Sequence, residues 1–200
     1  MNKPLDRLSY TAKACRGKRV LDVGGALMPE TPKDCRFAKA YSKIKQGSKE
    51  YKVMDRQNTF DVDYVADLNT LKGIGLLSKT INEYQPEIIL CMETLEHINC
   101  HWEVMEVFAE AISKLNCVIL ISLPNDTNLL FKYFDFDWDH LMGFNKETAT
   151  RFLTRSSLGK HHIKYMPLAS GMYQKYWPLC WLFSVGNPIA LLFQIKKEAT

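Results

Sequence analysis

Two hundred residues, 46% hydrophobic and 24% charged, suffice for one ordinary folded domain and exclude a disordered chain. A formal charge of +4 is too mild, taken alone, to indicate a nucleic-acid binder. The six cysteines show no CxxC spacing and the opening MNKPLDRLSY has no apolar core. Neither a disulfide scaffold nor a secreted chain is therefore expected, and a cytoplasmic location is.

In chain order, a helix over 4–15 precedes a first strand, RVLDVG (19–24), that runs into Gly24 and Gly25. A helix over 33–46 with Gly47 at its end leads to the second strand, EYKVMD (50–55), and a short third, VDYVAD (62–67). Helix 73–83 is followed by the strand EIILCM (87–92). Helix 99–114 carries an apolar stripe of Trp102, Met105, Phe108, Ala109 and Ile112 at spacings of three and four. The strand CVILISLP (117–124), a helix over 146–157 and two late strands, HIKYMPL (162–168) and IALLFQI (189–195), complete the pattern. Alternating strands and helices predict an α/β domain, a parallel sheet covered on both faces. No repeat or linker divides the chain, so one domain over 1–200 is expected.

Ligands of such sheets bind beyond the carboxyl ends of the strands. Polar residues collect there: Asp22 with Gly24 and Gly25, then Asp55, Asp67 and Glu93. One acid after one strand is usually a turn former, but four strands delivering to one edge form a constellation. The GxGxxG fingerprint of nicotinamide dinucleotides and the GxxxxGK[ST] phosphate loop are both absent. Carboxylates repel a pyrophosphate. They accept instead from ribose hydroxyls, an adenine amino group and an ammonium.

On these residues the sequence resembles the class I S-adenosylmethionine-dependent methyltransferases, from about Lys18 to Leu158. VLDVGGA resembles the family's first motif, YKVMD the second, VDYVADLNTL the third and IILCMETLEHI (88–98) the fourth. DHLMGFNKETATRFLTRSSL (139–158) is similar to the stretch in which a His-containing loop enters the helix after the fifth strand. The resemblance implies a Rossmann-like methyltransferase fold: a mostly parallel seven-stranded sheet, its last strand inserted antiparallel. Residues 1–17 would be an N-terminal helix, 18–125 the cofactor half and 126–200 the substrate half.

S-adenosylmethionine is the implied cofactor. Asp22, Gly24 and Gly25 would face its amino-acid part, Asp55 its ribose, Asp67 and Leu68 its adenine, Met92 and Glu93 would flank it, and Arg56 would also belong to the cofactor site. His97 and His140 are the implied candidates for a general base. The sequence also departs from the family pattern. The alternating glycine positions read Gly24, Ala26 and Met28, and the longer spacing from Asp22 to Asp55 points to an insertion in LMPETPKDC. Because Met28 cannot take positive φ cheaply, the turn is expected one residue early, at Gly25. A drifted loop also leaves a second reading, a non-catalytic binding or scaffold protein of the same fold.

Glu93, His97 and His101 have helical spacing but do not form HExxH, and no metal site is expected. FKYFDFDWDH (131–140) lacks the glycine and glutamate of a calcium loop. It reads either as a solvated acidic loop or as a substrate-facing lid. The lysine-rich KAYSKIKQGSKEYK (39–52) reads as a wet helix face or as a patch for a partner or anionic substrate. CMETLEHI is not the Asn/Asp-Pro-Pro-aromatic turn of base methylation. A small-molecule, saccharide or lipid-linked acceptor is therefore expected ahead of nucleic acid. The apolar run 176–193, broken by Pro178 and by Gly186-Asn187-Pro188, reads as strand-turn-strand or as a membrane contact.

Overall fold

A computed structural model describes residues 5–26, 36–59, 61–125, 142–166, 168–169 and 190–198. Strands β1 (Leu5–Asp6), β2 (Arg19–Val23), β3 (Glu50–Asp55), β4 (Tyr64–Val65), β5 (Ile88–Met92) and β6 (Val118–Pro124) come first. They are followed by β7 (His162–Met166), β8 (Leu168–Ala169) and β9 (Ala190–Lys196). The helices are α1 (Arg7–Cys15), α2 (Arg36–Gly47), α3 (Leu71–Tyr84), α4 (His101–Leu115) and α5 (Lys146–Arg155). Seven strands form one sheet in the order β4-β3-β2-β5-β6-β9-β7, and β1 pairs with β8 in a small second sheet.

The large sheet is mixed. β2, β3, β4, β5 and β6 pair in parallel, while β9 inserts antiparallel between β6 and β7. Central strands are apolar on both sides because both faces are covered: β5 is buried at every residue. Alternate residues sort into two cores. Leu21, Val23, Ile89, Cys91, Ile119 and Ile121 face α3, α4 and α5, while Val20, Ile88, Leu90 and Leu120 face α1 and α2 with Cys15 and Ile44. Each fully buried side chain of this size contributes roughly 1.5–3 kcal/mol.

Helix ends follow local chemistry. Thr70 caps α3 by accepting from the Gly73 amide, and Asn145 and Thr148 form a capping box on α5. α3 and α4 close on Gln85 and Asn116 in the left-handed region, at φ 51° and 56°.

Three expectations need correction. The third strand shrinks to Tyr64–Val65, because the Asp63 carboxylate takes the Val53 amide that a longer ladder would use. The stripe of α4 rotates away from Trp102, which is 45% exposed, onto Val104, Met105, Phe108 and Ile112. The first helix starts at Arg7, after a short strand that the sequence does not announce. Cys15, Cys91 and Cys117 are buried thiols, the last two within apolar strand sequence. Among the described residues no helix is long and apolar enough to cross a membrane. Residues 126–141, with the 131–140 loop and His140, and most of 176–193 lie outside the described residues.

Candidate functional site

A cavity of about 440 Å³ opens at the carboxyl ends of β2, β3 and β5. Gly24, Gly25 and Ala26 form one wall and Asp55, Arg56 and Gln57 the next. Ala66, Asp67, Leu68 and Asn69 continue it, and Met92, Glu93, Thr94, His97 and Ile98 close it from β5, with Tyr41 reaching in from α2.

The glycine turn is built differently from the expectation. Gly24, not Gly25, is left-handed, at φ +78°. Its amide donates to the Met54 carbonyl at 2.8 Å, and any Cβ there would collide with the Thr94 side chain. Thr94 in turn lies within hydrogen-bond reach of the Val23 and Met92 carbonyls, at 3.2 and 3.1 Å. Only glycine satisfies both the positive φ and the close approach. Gly25 is required for a second reason, since a Cβ would strike the Asp22 carboxylate.

Asp22 lies beneath this wall and is fully buried. Tyr51 donates its phenol to Oδ2, while Oδ1 has no hydrogen-bond partner among the described residues. Burial pushes the carboxyl up to about 7. The Tyr51 hydrogen bond opposes that rise and the nearby charge of Asp55 adds to it. Asp55 accepts from the Ala26 amide at 3.2 Å and the Gln57 amide at 2.9 Å, which ties the first loop to the end of β3. The Asp67 carboxylate accepts from the Asn69 amide at 3.0 Å. A Cβ at Gly73 would hit the Asp67 carbonyl, so the start of α3 sits tightly against this loop.

Glu93 follows β5 in the left-handed region, at φ +53°, an uncommon conformation for glutamate that turns the chain at the cavity. Its Oε1 accepts from Arg7 Nη1 at 2.7 Å and from Ser122 Oγ at 2.6 Å. Arg7 also donates to Ser122 Oγ at 3.2 Å. Tyr41 stands near the same charges, its phenol held above its ordinary range by burial first and by Asp22 next.

Nine of the candidate residues thus meet at one cavity: Gly24, Gly25, Asp55, Arg56, Asp67, Leu68, Met92, Glu93 and His97. Asp22 lies one layer behind them. The spacing of Glu93, His97 and His101 does not survive folding into a shared face. Leu95–His97 is a 3-10 turn, and His101 begins α4 with Nδ1 3.0 Å from the Ile98 carbonyl and its ring against Trp102 and Phe152. Among the described residues no cluster of three metal-ligating side chains exists. Arg7, Tyr41, Tyr51, Thr94 and Ser122 were not legible as site residues. Only the aromatic Tyr41 and Tyr51 among the lysines of 39–52 offered a signal.

No protein-family model and no curated protein matches the sequence. Solved structures do. An S-adenosylmethionine-dependent methyltransferase from Mesorhizobium loti aligns over 94% of this chain and 96% of its own, at 11% identity and a TM-score of 0.54. The small RNA methyltransferase HEN1 aligns over 97% of this chain at 13% identity and a TM-score of 0.54, and this chain spans only 25% of its length. The N-methyltransferase NodS from Bradyrhizobium japonicum, solved with S-adenosylhomocysteine, aligns over 96% of this chain and 85% of its own, at 10% identity and a TM-score of 0.50. At these identities the likeness is one of fold.

Proposed function

We propose that this chain, which has the fold of the class I S-adenosylmethionine-dependent methyltransferases, transfers a methyl group to a small-molecule, saccharide or lipid-linked acceptor. One observation carries the reading: acids and glycines from four strand ends converge on one cavity, and the sequence carries no GxxxxGK[ST] phosphate loop.

The residues present fit the cofactor. The Cβ-free Gly24–Gly25 wall lets the amino-acid end approach the backbone closely, with the Asp22 carboxyl, its Oδ1 unpartnered among the described residues, one layer behind it. Asp55 would accept from ribose hydroxyls, Asp67 and Leu68 would border adenine, and Glu93 would face the amino-acid end. Arg7, bonded directly to Glu93, would hold a carboxylate at that end.

S-adenosylmethionine supplies a methyl group on a sulfonium, a carbon already activated for in-line displacement. The protein's share is then to hold donor and acceptor collinear and at near-attack distance. The braced walls serve that purpose: Thr94 locks Gly24, Asp55 locks Ala26, and Ser122 with Arg7 locks Glu93. An acceptor hydroxyl would also need a base. His97 is the cavity histidine among the described residues, and His140 remains the second candidate.

Calorimetry with S-adenosylhomocysteine tests the cofactor assignment. Saturable heat is expected, with affinity reduced at least about tenfold in Asp55→Ala, the loss of a charge-assisted pair of hydrogen bonds. A silent titration of folded wild-type protein would leave the non-catalytic reading standing.

A further inference from the structure

α2 turns two different sides to its surroundings. Lys39, Lys43 and Lys45 are exposed, while Ala38, Tyr41 and Ile44 follow one another at a spacing of three, and Ala38 and Ile44 are buried. An aliphatic residue between those two would complete the apolar stripe. The sequence places a tyrosine there instead, and Tyr41 lines the cavity with Gly24, Glu93 and Thr94.

Two aromatic rings line the cavity among the described residues, those of Tyr41 and His97. The groups whose charges act on the Tyr41 phenol are Asp22, Arg7, Glu93 and Cys15. Arg7 and Glu93 mark the part of the cavity at the turn after β5, so Tyr41 stands at that end. Burial first and Asp22 next hold the phenol above its ordinary range, and it stays uncharged. Arg7 and Glu93 are bonded to each other, and as a pair they place no net cation beside the ring.

A sulfonium carries a positive charge but no N–H or O–H. Hydrogen bonds therefore cannot recognise it as they recognise an ammonium. Like a quaternary ammonium, it is attracted by the electron-rich face of an aromatic ring. The acids of the cavity attract any cation, whereas a ring adds its attraction only at close range and without intervening water. We propose that Tyr41 is the residue by which this cavity tells the methyl-bearing sulfonium from the neutral thioether left after transfer. This specificity rests on the proposed use of S-adenosylmethionine. It gives α2 a part in choosing the state of the cofactor: the ring favours the charged form and holds the spent one less tightly.

Calorimetry with S-adenosylmethionine and S-adenosylhomocysteine, on wild type, Tyr41→Leu and Tyr41→Phe, tests this. The quantity read is the ratio of the two affinities, which a general loss of packing leaves unchanged. Tyr41→Leu is expected to weaken S-adenosylmethionine about three- to tenfold more than S-adenosylhomocysteine. Tyr41→Phe keeps the ring and should keep the wild-type ratio. Tyr41→Met, unbranched and without a ring, takes the place of Tyr41→Leu if that variant does not fold, with the same shift expected. Equal losses of both ligands in the ringless variant would overturn the proposal. So would a Tyr41→Phe ratio that falls as far as that of Tyr41→Leu, because the hydroxyl would then be the discriminating group. In both cases wild type still binds, and the cofactor assignment stands. Folded wild type silent toward both molecules would overturn the cofactor assignment and the role of Tyr41 with it.

Discussion

Arg7, in the first turn of α1, donates to the Glu93 carboxylate at 2.7 Å and joins two residues 86 positions apart. Both side chains are mostly covered, at 20% and 28% exposure, so the pair is worth more than a surface ion pair. It fixes an N-terminal helix to the carboxyl edge of the sheet and places the helix's charge at the cavity.

Arg7→Ala is therefore expected to act twice. Stability should fall by about 1–2 kcal/mol, because Glu93 and Ser122 lose a shared donor. Affinity for S-adenosylhomocysteine should fall roughly three- to tenfold if Arg7 meets its carboxylate. Denaturant melts and calorimetry separate the two. A stability loss with unchanged affinity would make Arg7 a structural tether only.

The buried Asp22 carboxyl, raised from 3.8 to about 7, predicts a pH dependence. Below 3.8 the folded and unfolded chains both carry the proton. Between 3.8 and about 7 the unfolded chain releases it while the folded chain keeps it, so stability declines as pH rises through that window and then levels off. Asp22→Asn cannot ionise. Relative to wild type, this variant should gain stability from pH about 4 to about 8, as read from urea midpoints. A constant difference across that range would show that Asp22 is not held protonated.

The glycine turn predicts two losses of different origin. Gly24→Ala must hold a side chain at φ +78° and displace Thr94, a cost of about 1–3 kcal/mol. Gly25→Ala carries no such φ penalty, but its methyl would push the Asp22 carboxylate aside. Gly25→Ala should therefore suppress the pH response described for Asp22, whereas Gly24→Ala should lower stability at every pH. Melts of both variants across pH distinguish them.

What was legible in the sequence was periodic or local. The apolar runs announced the central strands, and an acid after each run announced Asp22, Asp55 and Asp67, because strand ends in such a sheet share one edge. Partners set by long-range approach were not legible. Arg7 meets Ser122 across 115 positions, and Tyr51 meets Asp22 across 29. Chain order alone puts the turn at Gly25. In the fold, Thr94 arrives from another strand end and selects Gly24. Trp102 fits the helical stripe by spacing, yet it sits in the first turn of α4. There it packs at a tilt against Phe152 of α5 instead of entering the core.

Asn69 is the hinge between two walls of the cavity. Its side-chain oxygen accepts from the Asn99 amide at 2.7 Å, and its carbonyl lies 3.6 Å from the Cys100 sulfur. These contacts hold the loop after Asp67 against the turn that carries His97 and Ile98, and Asp67, Asn69, His97 and Ile98 all line the cavity. Asn69→Ala frees the Asn99 amide to water, so stability should fall by less than about 1 kcal/mol. The two walls would no longer be held at a fixed separation, and affinity for S-adenosylhomocysteine should drop several-fold. Asn69→Asp keeps the acceptor and should restore most of that affinity. Equal losses in both variants, measured by calorimetry, would show that the side-chain amide itself is needed and that the tether to Asn99 does not set the width of the cavity.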